Sequence, residues 1–392
     1  MSISIFNTKK EKTVAILDIG SASVGGAIVA IKKGSEPQVL FSIRENMVFQ
    51  KDLNLERFTS AMLQSLGLVL NKLEKYTGDK PRDFFCVLSS PWYESKTKII
   101  NVNENKNFTV TEKMLDEILK KESDIFSSSV NNVGNVKDLV TIIDLKNIQI
   151  KLNGYDTPNP YGKYAQNMDI ALFIGLGSKK VIEAIKNKIS KIFYIKNITF
   201  STFSLASFST VRDIFSDKNN FIILDITGEV TDVSLVQDNV IIKSSSFPLG
   251  KNFIVRKIAS EMNTTVEEAG SLFNMLNSNK INNETKNSLS VILDGVRKEW
   301  LDEFTKSIVA MSKERSISST IFFTADSNVS SWFVESLENK EFSEVILIED
   351  VFDVHFLSEK ILEKFCLFKK GVNKDPFIIL EAIYLNKNQD II

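Results

Sequence analysis

The stretches that decide the fold are Thr13–Val29, TVAILDIGSASVGGAIV, and Phe221–Val236, FIILDITGEVTDVSLV. Each begins as an apolar run typical of a buried strand, reaches an aspartate (Asp18 or Asp225), makes a glycine-bearing turn and then resumes its apolar pattern. A strand–turn–strand of this kind brings backbone N–H groups and a carboxylate to the tip of a hairpin. Such groups hold a phosphate and its Mg²⁺, so two such hairpins predict a pair of related lobes closing on a nucleotide.

The composition is that of an ordinary globular protein with more than one core. The chain has 392 residues, of which 43% are apolar and 25% charged. A formal net charge of −1, without a stripe of basic and aromatic residues, argues against a nucleic-acid partner. Cys86 and Cys366 lie in apolar runs without CxxC spacing and are predicted to be buried thiols. His355 is the only histidine, which argues against a zinc site or a Ser-His-Asp triad.

The sequence predicts a cytoplasmic protein. No apolar run approaches the roughly 20 residues that span a bilayer. The opening segment, MSISIFNTKKEK, places a short apolar stretch before a basic one, which is the reverse of a secretory signal. It is interpreted as a solubilising tail, with a shallow contact to a membrane surface as the alternative.

Between and after the hairpins, the apolar spacing alternates between strand and helix, which is typical of an α/β layer architecture. Strands are predicted at 38–49, 84–91, 96–103, 167–176 and 320–326, together with paired strands around Asp144–Asn147. Helices are predicted within 52–77, from Thr111, from Ser178, at 201–215 and over most of 250–315, where Thr265 and Glu268 have the spacing of a capping box. The apolar segment 375–385 fits either a strand or a helix.

The order of elements resembles the actin-like ATPases, and most of all the bacterial cell-division protein FtsA and the pilus-assembly protein PilM. LDIGSASVGGAIV resembles their first phosphate motif, LDITGEVTDVSLV the second, and SFPLGKNFIVRKIA the segment after it. The insert keeps a VTEKMLDEIL helix and an Asn-Pro-x-Gly turn at Asn159, Pro160 and Gly162. The implied fold class is α/β: an actin-like (ribonuclease H-like) two-lobed fold with an inserted strand–helix–strand–strand α+β subdomain.

The resemblance also implies a division of the chain into segments. These are 1–91 for the first lobe, 92–198 for the inserted subdomain, 199–219 for a connecting helix of the first lobe, 220–355 for the second lobe with a helical subdomain at about 251–318, and 356–392 for a C-terminal return to the first lobe.

Carried over by motif position, the resemblance implies a site for ATP and Mg²⁺. Asp18 and Asp225 face the metal in this interpretation, mostly through its water shell. The residues assigned to the nucleotide are Asp18, Gly20, Ser21, Ser23, Asp225, Thr227, Gly228, Thr231, Ala325 and Asp326. The alternative is that the two aspartates only cap tight turns.

Three departures from the family pattern weaken the expectation of catalysis. The second loop keeps only Gly228 of three glycines, and Glu229 adds a negative charge near the expected γ-phosphate. Ala325 and Asp326 stand where the family has two glycines near the adenosine. The segment FSTFSLASFSTVR contains no glutamine or acid to orient a water, so no catalytic residue is assigned and hydrolysis is expected to be slow or absent.

These features imply an FtsA-like, ATP- and Mg-binding cytoplasmic scaffold that links or recruits protein partners of the cell-division machinery at the membrane, with self-association. A PilM-like adaptor of type IV pilus assembly is the alternative, because NKNQDII lacks the amphipathic membrane-targeting helix of FtsA. Membrane contact is then indirect, through partners at the inner face of the cell membrane. A nucleotide-free pseudo-ATPase is a further alternative, and a small-molecule kinase is the least favoured. Trp92 and Tyr93 are candidates for an exposed protein-contact point, with core packing as the alternative.

Overall fold

The computed structural model describes residues 11–50, 54–131, 139–278, 280–312, 317–338 and 351–391. The interpretation of residues 1–10 as a solubilising tail lies outside this part of the chain. The first half of the chain forms β1 (Lys12–Ile19), β2 (Ser23–Ile31), β3 (Gln38–Asn46), α1 (Leu55–Glu74), β4 (Asp83–Leu88), β5 (Tyr93–Thr109), α2 (Glu112–Asn131), β6 (Val140–Leu152), β7 (Tyr155–Asp156), β8 (Tyr164–Ser178), α3 (Lys179–Ser190), β9 (Asn197–Thr202) and α4 (Phe203–Ile214). The second half forms β10 (Phe221–Ile226), β11 (Thr231–Gln237), β12 (Val240–Phe247), α5 (Lys251–Glu261), α6 (Val266–Asn277), α7 (Asn283–Ser312), β13 (Thr320–Ala325), α8 (Ser327–Leu337), β14 (Asp353–Phe356), α9 (Glu359–Leu362), β15 (Leu367–Phe368) and α10 (Pro376–Lys387).

A six-stranded sheet, in the order β15-β3-β2-β1-β4-β9, carries the first hairpin. Strands β1, β2 and β3 are antiparallel, whereas β4 and β9 continue the sheet in parallel with β1. Strands β2 and β4 are buried along their whole length, which explains why they consist of nearly continuous apolar residues. Helix α1 packs closely on β2 at Gly26, where a Cβ atom would lie only 2.3 Å from Val69 Cγ1.

A five-stranded sheet, in the order β12-β11-β10-β13-β14, repeats this plan with the second hairpin. Its first three strands are antiparallel, and β13 and β14 again run parallel to β10. Asp18 is paired with Gly25 across the first hairpin, and Asp225 is paired with Asp232 across the second. The two sheets are therefore related in both strand order and hairpin register, as the sequence predicted from the hairpins.

The inserted segment forms a separate antiparallel sheet in the order β5-β8-β6-β7. Helix α2 packs on it around a small core of Val110, Leu115, Leu152, Ala165, Met168 and Ile170. The prediction of paired strands around Asp144–Asn147 is wrong, because β6 is one strand of 13 residues. Its register against β8 shifts between Ile142 and Asp144 and again between Asn147 and Gln149, and these bulges interrupt the alternation of side chains.

Three other local predictions are resolved by the structure. Residues 201–202 belong to β9, so the predicted helix begins only at Phe203. The segment 375–385 is helical, and Asp375 caps it by accepting hydrogen bonds from the N–H groups of Phe377 and Ile378. Trp92 and Tyr93 are only 3% and 8% exposed, so an exposed aromatic contact point was the wrong alternative.

The described chain divides into two compact units. One consists of residues in 1–89, 185–210 and 357–392, and the other of residues in 90–184 and 211–356. The domain boundaries inferred from the family resemblance stay a prediction. Within the described ranges, every helix is too short or too polar to cross a bilayer.

Candidate functional site

The turn at residues 18–23 between β1 and β2, called here the first phosphate-type loop, lies in the first unit and is closed around an ion pair. Asp18, near the end of β1, is only 2% exposed, and its Oδ2 accepts a hydrogen bond of 2.6 Å from Arg44 Nη2. Arg44 Nη1 also donates to Ser23 Oγ at 2.9 Å. Gly25 provides the space for the guanidinium, because a Cβ atom there would lie 2.7 Å from Arg44 Nη2. The charge of the predicted metal-facing aspartate is thus balanced by a side chain of the protein itself.

The helix α10 extends this ion pair with two further acids. Arg44 donates to both carboxylate oxygens of Asp375, from Nε at 2.6 Å and from Nη2 at 3.0 Å. Glu381 is fully buried, and burial raises its pKa well above the ordinary value, with the neighbouring charge of Asp18 acting in the same direction. The raised pKa favours the neutral form of Glu381, and a neutral carboxyl group can donate a hydrogen bond to Asp18. Burial also raises the pKa of Asp18, against the lowering effect of Arg44.

The turn of the first loop is closed by a hydrogen bond between its own backbone groups. The N–H of Gly20 donates to the carbonyl oxygen of Ser23 at 3.1 Å, which closes the hairpin between β1 and β2. Ser21 is 2% exposed and lies inside the turn. These residues, which the sequence assigned to the terminal phosphates, form a compact turn with its first amide already bonded.

The turn at residues 225–230 between β10 and β11, called here the second phosphate-type loop, lies in the second unit and contains a buried carboxylate. Glu229 is 5% exposed and accepts hydrogen bonds from Arg256 Nη2 at 2.6 and 2.7 Å and from Asn252 Nδ2 at 2.7 Å. Thr227 closes the turn by donating from Oγ1 to the carbonyl oxygen of Val230 at 2.7 Å. The negative charge that the sequence placed near a γ-phosphate is therefore neutralised within the loop.

The start of helix α5 is also bonded to this loop. The N–H groups of Lys251 and Asn252 donate to the carbonyl oxygens of Thr227 and Gly228 at 2.9 and 2.8 Å. This close approach requires Gly250, since a Cβ atom there would lie 2.4 Å from the Thr227 carbonyl oxygen. The first amides of a helix are the groups that would bind an anion, and here the loop backbone satisfies two of them.

Two further predicted site residues of the second unit, Asp225 and Thr231, form hydrogen bonds with other residues of the protein. Asp225 is 4% exposed and accepts a hydrogen bond of 2.8 Å from Thr324 Oγ1. Thr231 is fully buried, where its hydroxyl donates to the carbonyl oxygen of Leu249 and accepts from Trp300 Nε1.

The two residues that stand where the family has glycines near the adenosine lie at the junction of a strand and a helix. Ala325 is buried as the last residue of β13. Asp326, at the N-terminus of α8, forms an ion pair with Lys251. This places a carboxylate and its cation where the family has glycines.

These contacts test whether ATP and Mg²⁺ fit the loops. A phosphate requires free N–H or cationic donors, and Mg²⁺ requires hard oxygens with room for several waters. In the second loop the donors bind Glu229, and in the first loop Asp18 is buried against Arg44. Among the described residues, no group of three or more His, Cys, Asp or Glu side chains is arranged to hold a metal ion. In this arrangement the loops do not fit the nucleotide, and the assignment of the ten site residues stays a prediction.

Several residues that decide this chemistry were missed by the sequence reasoning. Glu381 had a usable signal, because it is the only charged residue in the apolar run FIILEAIYL of a buried helix. Arg44 stands in the strand FSIRENMVF without any such signal, since charged residues are common on half-exposed strands. The partners of Glu229, Arg256 and Asn252, follow the loop by about two dozen residues and have no motif.

Comparison with known proteins identifies the fold. No family model matches the sequence, and no curated protein matches it. PilM in the PilM–PilN type IV pilus biogenesis complex is similar with a TM-score of 0.65 at 12% identity, covering 96% of this chain and 98% of that chain. MreB 5 of Spiroplasma citri bound to AMPPNP has a TM-score of 0.47 at 10% identity, with 97% of both chains covered. EutJ, the ethanolamine utilization protein from Carboxydothermus hydrogenoformans, has a TM-score of 0.46 at 12% identity, covering 96% and 90%. The chain has the actin-like ATPase fold and resembles PilM, which confirms the predicted fold class.

Proposed function

We propose that this actin-fold chain is a scaffold for protein partners of a membrane-associated machine, and that it works without tight binding of ATP and Mg²⁺. The observation that carries the proposal is the buried Glu229, held by Arg256 and Asn252 inside the second phosphate-type loop. A carboxylate at this position repels a phosphate and uses the donors that a phosphate would need. An actin fold that binds no nucleotide still presents surfaces through which it can bind other proteins, and we assign this chain that role.

Type IV pilus assembly is the machine that we favour. The support is the similarity to PilM, which is described as part of a pilus biogenesis complex with PilN. An FtsA-like role in cell division, expected first from the sequence, is the alternative. Affinity capture of the tagged chain from its own cells tests the choice, because pilus-assembly proteins should be enriched over division proteins. Enrichment of division proteins over pilus-assembly proteins would support the FtsA-like role instead.

A nucleotide-responsive scaffold is the second candidate function. In that case the ion pairs of Asp18 with Arg44 and of Glu229 with Arg256 open, and Asp18 and Asp225 then face Mg²⁺. The pairing of Asp18 and Asp225 with the same hairpin positions in two related sheets favours this candidate. It differs from the first candidate in requiring metal-dependent ATP affinity.

Calorimetric titration with ATP, with and without Mg²⁺, separates the two candidates. We expect no binding heat from the wild-type chain at millimolar ATP. Glu229→Gln should gain measurable affinity for ATP, because the guanidinium of Arg256 loses its carboxylate partner. Glu299→Gln is the matched control, since Glu299 pairs with Lys257 at 2.9 Å on a half-exposed surface outside the loop. Metal-dependent binding by the wild type that is lost in Asp18→Ala and Asp225→Ala would overturn the nucleotide-independent proposal.

A further inference from the structure

A cavity of about 210 Å³ in the second unit is lined only by residues whose side chains end in oxygen. Its walls come from the start of β5 and from the hairpin β11–β12, and consist of six serines, Tyr93, Glu94 and Asp232. No lining residue has a nitrogen in its side chain. A surface of this kind offers many acceptors and a negative charge to whatever enters it.

Asp232 lies at the base of this cavity and is the only buried acid among its lining residues. It is 8% exposed, and its two carboxylate oxygens accept hydrogen bonds from Ser90 Oγ at 2.7 Å and from Tyr93 Oη at 3.1 Å. Both hydroxyl hydrogens therefore point at the carboxylate, and the oxygen atoms of these hydroxyls lie beside it. The Ser234 and Ser244 hydroxyls bond to each other at 3.1 Å.

Asp232 differs from Asp18 and Glu229 in lacking a cationic partner among the described residues. Asp18 pairs with Arg44 and Glu229 with Arg256, whereas within the described ranges no lysine or arginine forms an ion pair with Asp232. Burial raises the pKa of Asp232 to about 6, and its hydrogen bonds offset that effect only in part. Buried carboxylates are ordinarily paired with a positive charge. A cation entering this cavity would therefore stabilise the ionised form of Asp232.

We propose that this cavity binds a primary ammonium group, supplied by a small amine or by a lysine side chain of a partner. An ammonium has three N–H donors and one positive charge, which suits a carboxylate surrounded by hydroxyl oxygens. Glu94, exposed at the mouth, adds attraction for a cation. Anions are repelled, and the described residues offer no group of three ligands for a divalent metal. The inference does not depend on the proposed function, since it involves none of the loop residues.

The ligand chemistry is tested by calorimetric titration with n-butylammonium chloride in amine-free buffer at constant ionic strength. We expect saturable binding of n-butylammonium and none of tetramethylammonium, which has the charge but no N–H donor. Nα-acetyl-lysine methylamide is the second ligand. Binding of both shows that the mouth admits a side chain attached to a peptide, and binding of n-butylammonium alone restricts the site to free amines. Equal binding of tetramethylammonium would overturn the proposal.

Variants locate the binding in the cavity. Asp232→Asn should weaken n-butylammonium binding at least ten-fold, and Tyr93→Phe should weaken it by a smaller factor because one acceptor is removed. Asp238→Asn is the matched control, since Asp238 lies on the same hairpin outside the cavity and is exposed. Ser246 lies directly opposite Asp232 across the hairpin β11–β12. Ser246→Lys therefore places a tethered ammonium beside Asp232, so it should raise the melting temperature and abolish binding of the free amine. Wild-type affinity in both Asp232→Asn and Ser246→Lys would refute the site.

Discussion

Replacing Asp232 by asparagine should stabilise the protein near neutral pH. In the folded chain burial raises the pKa of Asp232 from 3.8 to about 6. The folded state therefore binds this proton more tightly than the unfolded state, so the contribution of Asp232 to stability is largest below pH 3.8 and is lost as the pH rises through 6. The interval between the two values corresponds to about 3 kcal/mol, at about 1.4 kcal/mol for each tenfold change in proton affinity. Asparagine has nearly the same shape and carries no charge at any of these pH values.

Urea unfolding at a series of pH values from 4 to 8, in amine-free buffer, measures this effect. The free energy of unfolding of Asp232→Asn should exceed that of the wild type by about 3 kcal/mol at pH 7.5, and the difference should approach zero near pH 4. The Ser90 and Tyr93 hydroxyls can each rotate to accept from or donate to the amide, so the hydrogen bonds survive the change. Asp217→Asn, in an exposed turn, is the control and should show no such trend.

The reasoning is refuted if the difference between Asp232→Asn and wild type does not change with pH. A constant difference would mean that packing, rather than ionisation of a buried carboxyl, determines the effect of the substitution. A destabilised variant at pH 7.5 would show that the carboxylate is more stable in its hydroxyl environment than burial alone predicts. Either result would also remove the electrostatic argument for a cation in the cavity.

Three further predictions concern the first unit. Gly25→Ala places a Cβ atom against Arg44 Nη2 and should cost about 1–3 kcal/mol of unfolding free energy. The control Gly295→Ala, in open space on α7, should instead gain roughly 0.5–1 kcal/mol. Thermal unfolding of both variants measures the two changes in stability. Arg44→Met leaves Asp18 buried without its cation and should cost about 3–5 kcal/mol in urea unfolding, so a loss below about 1 kcal/mol would contradict the buried ion pair. Glu381→Gln keeps a hydrogen-bond donor toward Asp18. Because the pKa of Glu381 is raised in the folded state, its contribution to stability is lost as the pH rises above the unfolded value, so the wild type alone should lose melting temperature; parallel pH profiles of the two proteins would show that folding does not raise this pKa.

The two hairpins were predictable because their signal is local. A buried apolar run, an aspartate and a glycine turn follow one another within 16 or 17 residues, and the same arrangement occurs twice. The capping box at Thr265 and Glu268 was predictable for the same reason and is present with both hydrogen bonds. The continuity of strand β6 was not predictable. The sequence predicts paired strands around Asp144–Asn147, whereas two bulges within one strand shift its register against β8, and such bulges have no local signal.

The ion pairs of the candidate site were not predictable because their partners are far apart in the chain. Arg44 and Asp375 are separated by 331 residues, and no periodicity indicates which acid an arginine will meet. The negative charge of Glu229 in the second loop was visible in the sequence, and it was interpreted as a repulsive feature near a phosphate. Its neutralisation by Arg256 depends on how the loop packs against α5, which only the structure gives.

The placement of α10 determines the order in which the chain can fold during synthesis. This helix packs on β1 and β2, yet it follows all of residues 90–184 and 211–356 along the chain. A ribosome therefore releases the whole second unit while the surface of β1 and β2 that α10 covers is still bare and Arg44 still lacks Asp375. At 5–20 residues per second, the roughly 330 intervening residues take about 16 to 66 seconds to make. For that time the nascent first unit presents apolar strands without their cover, which makes it a substrate for chaperones that bind exposed hydrophobic segments.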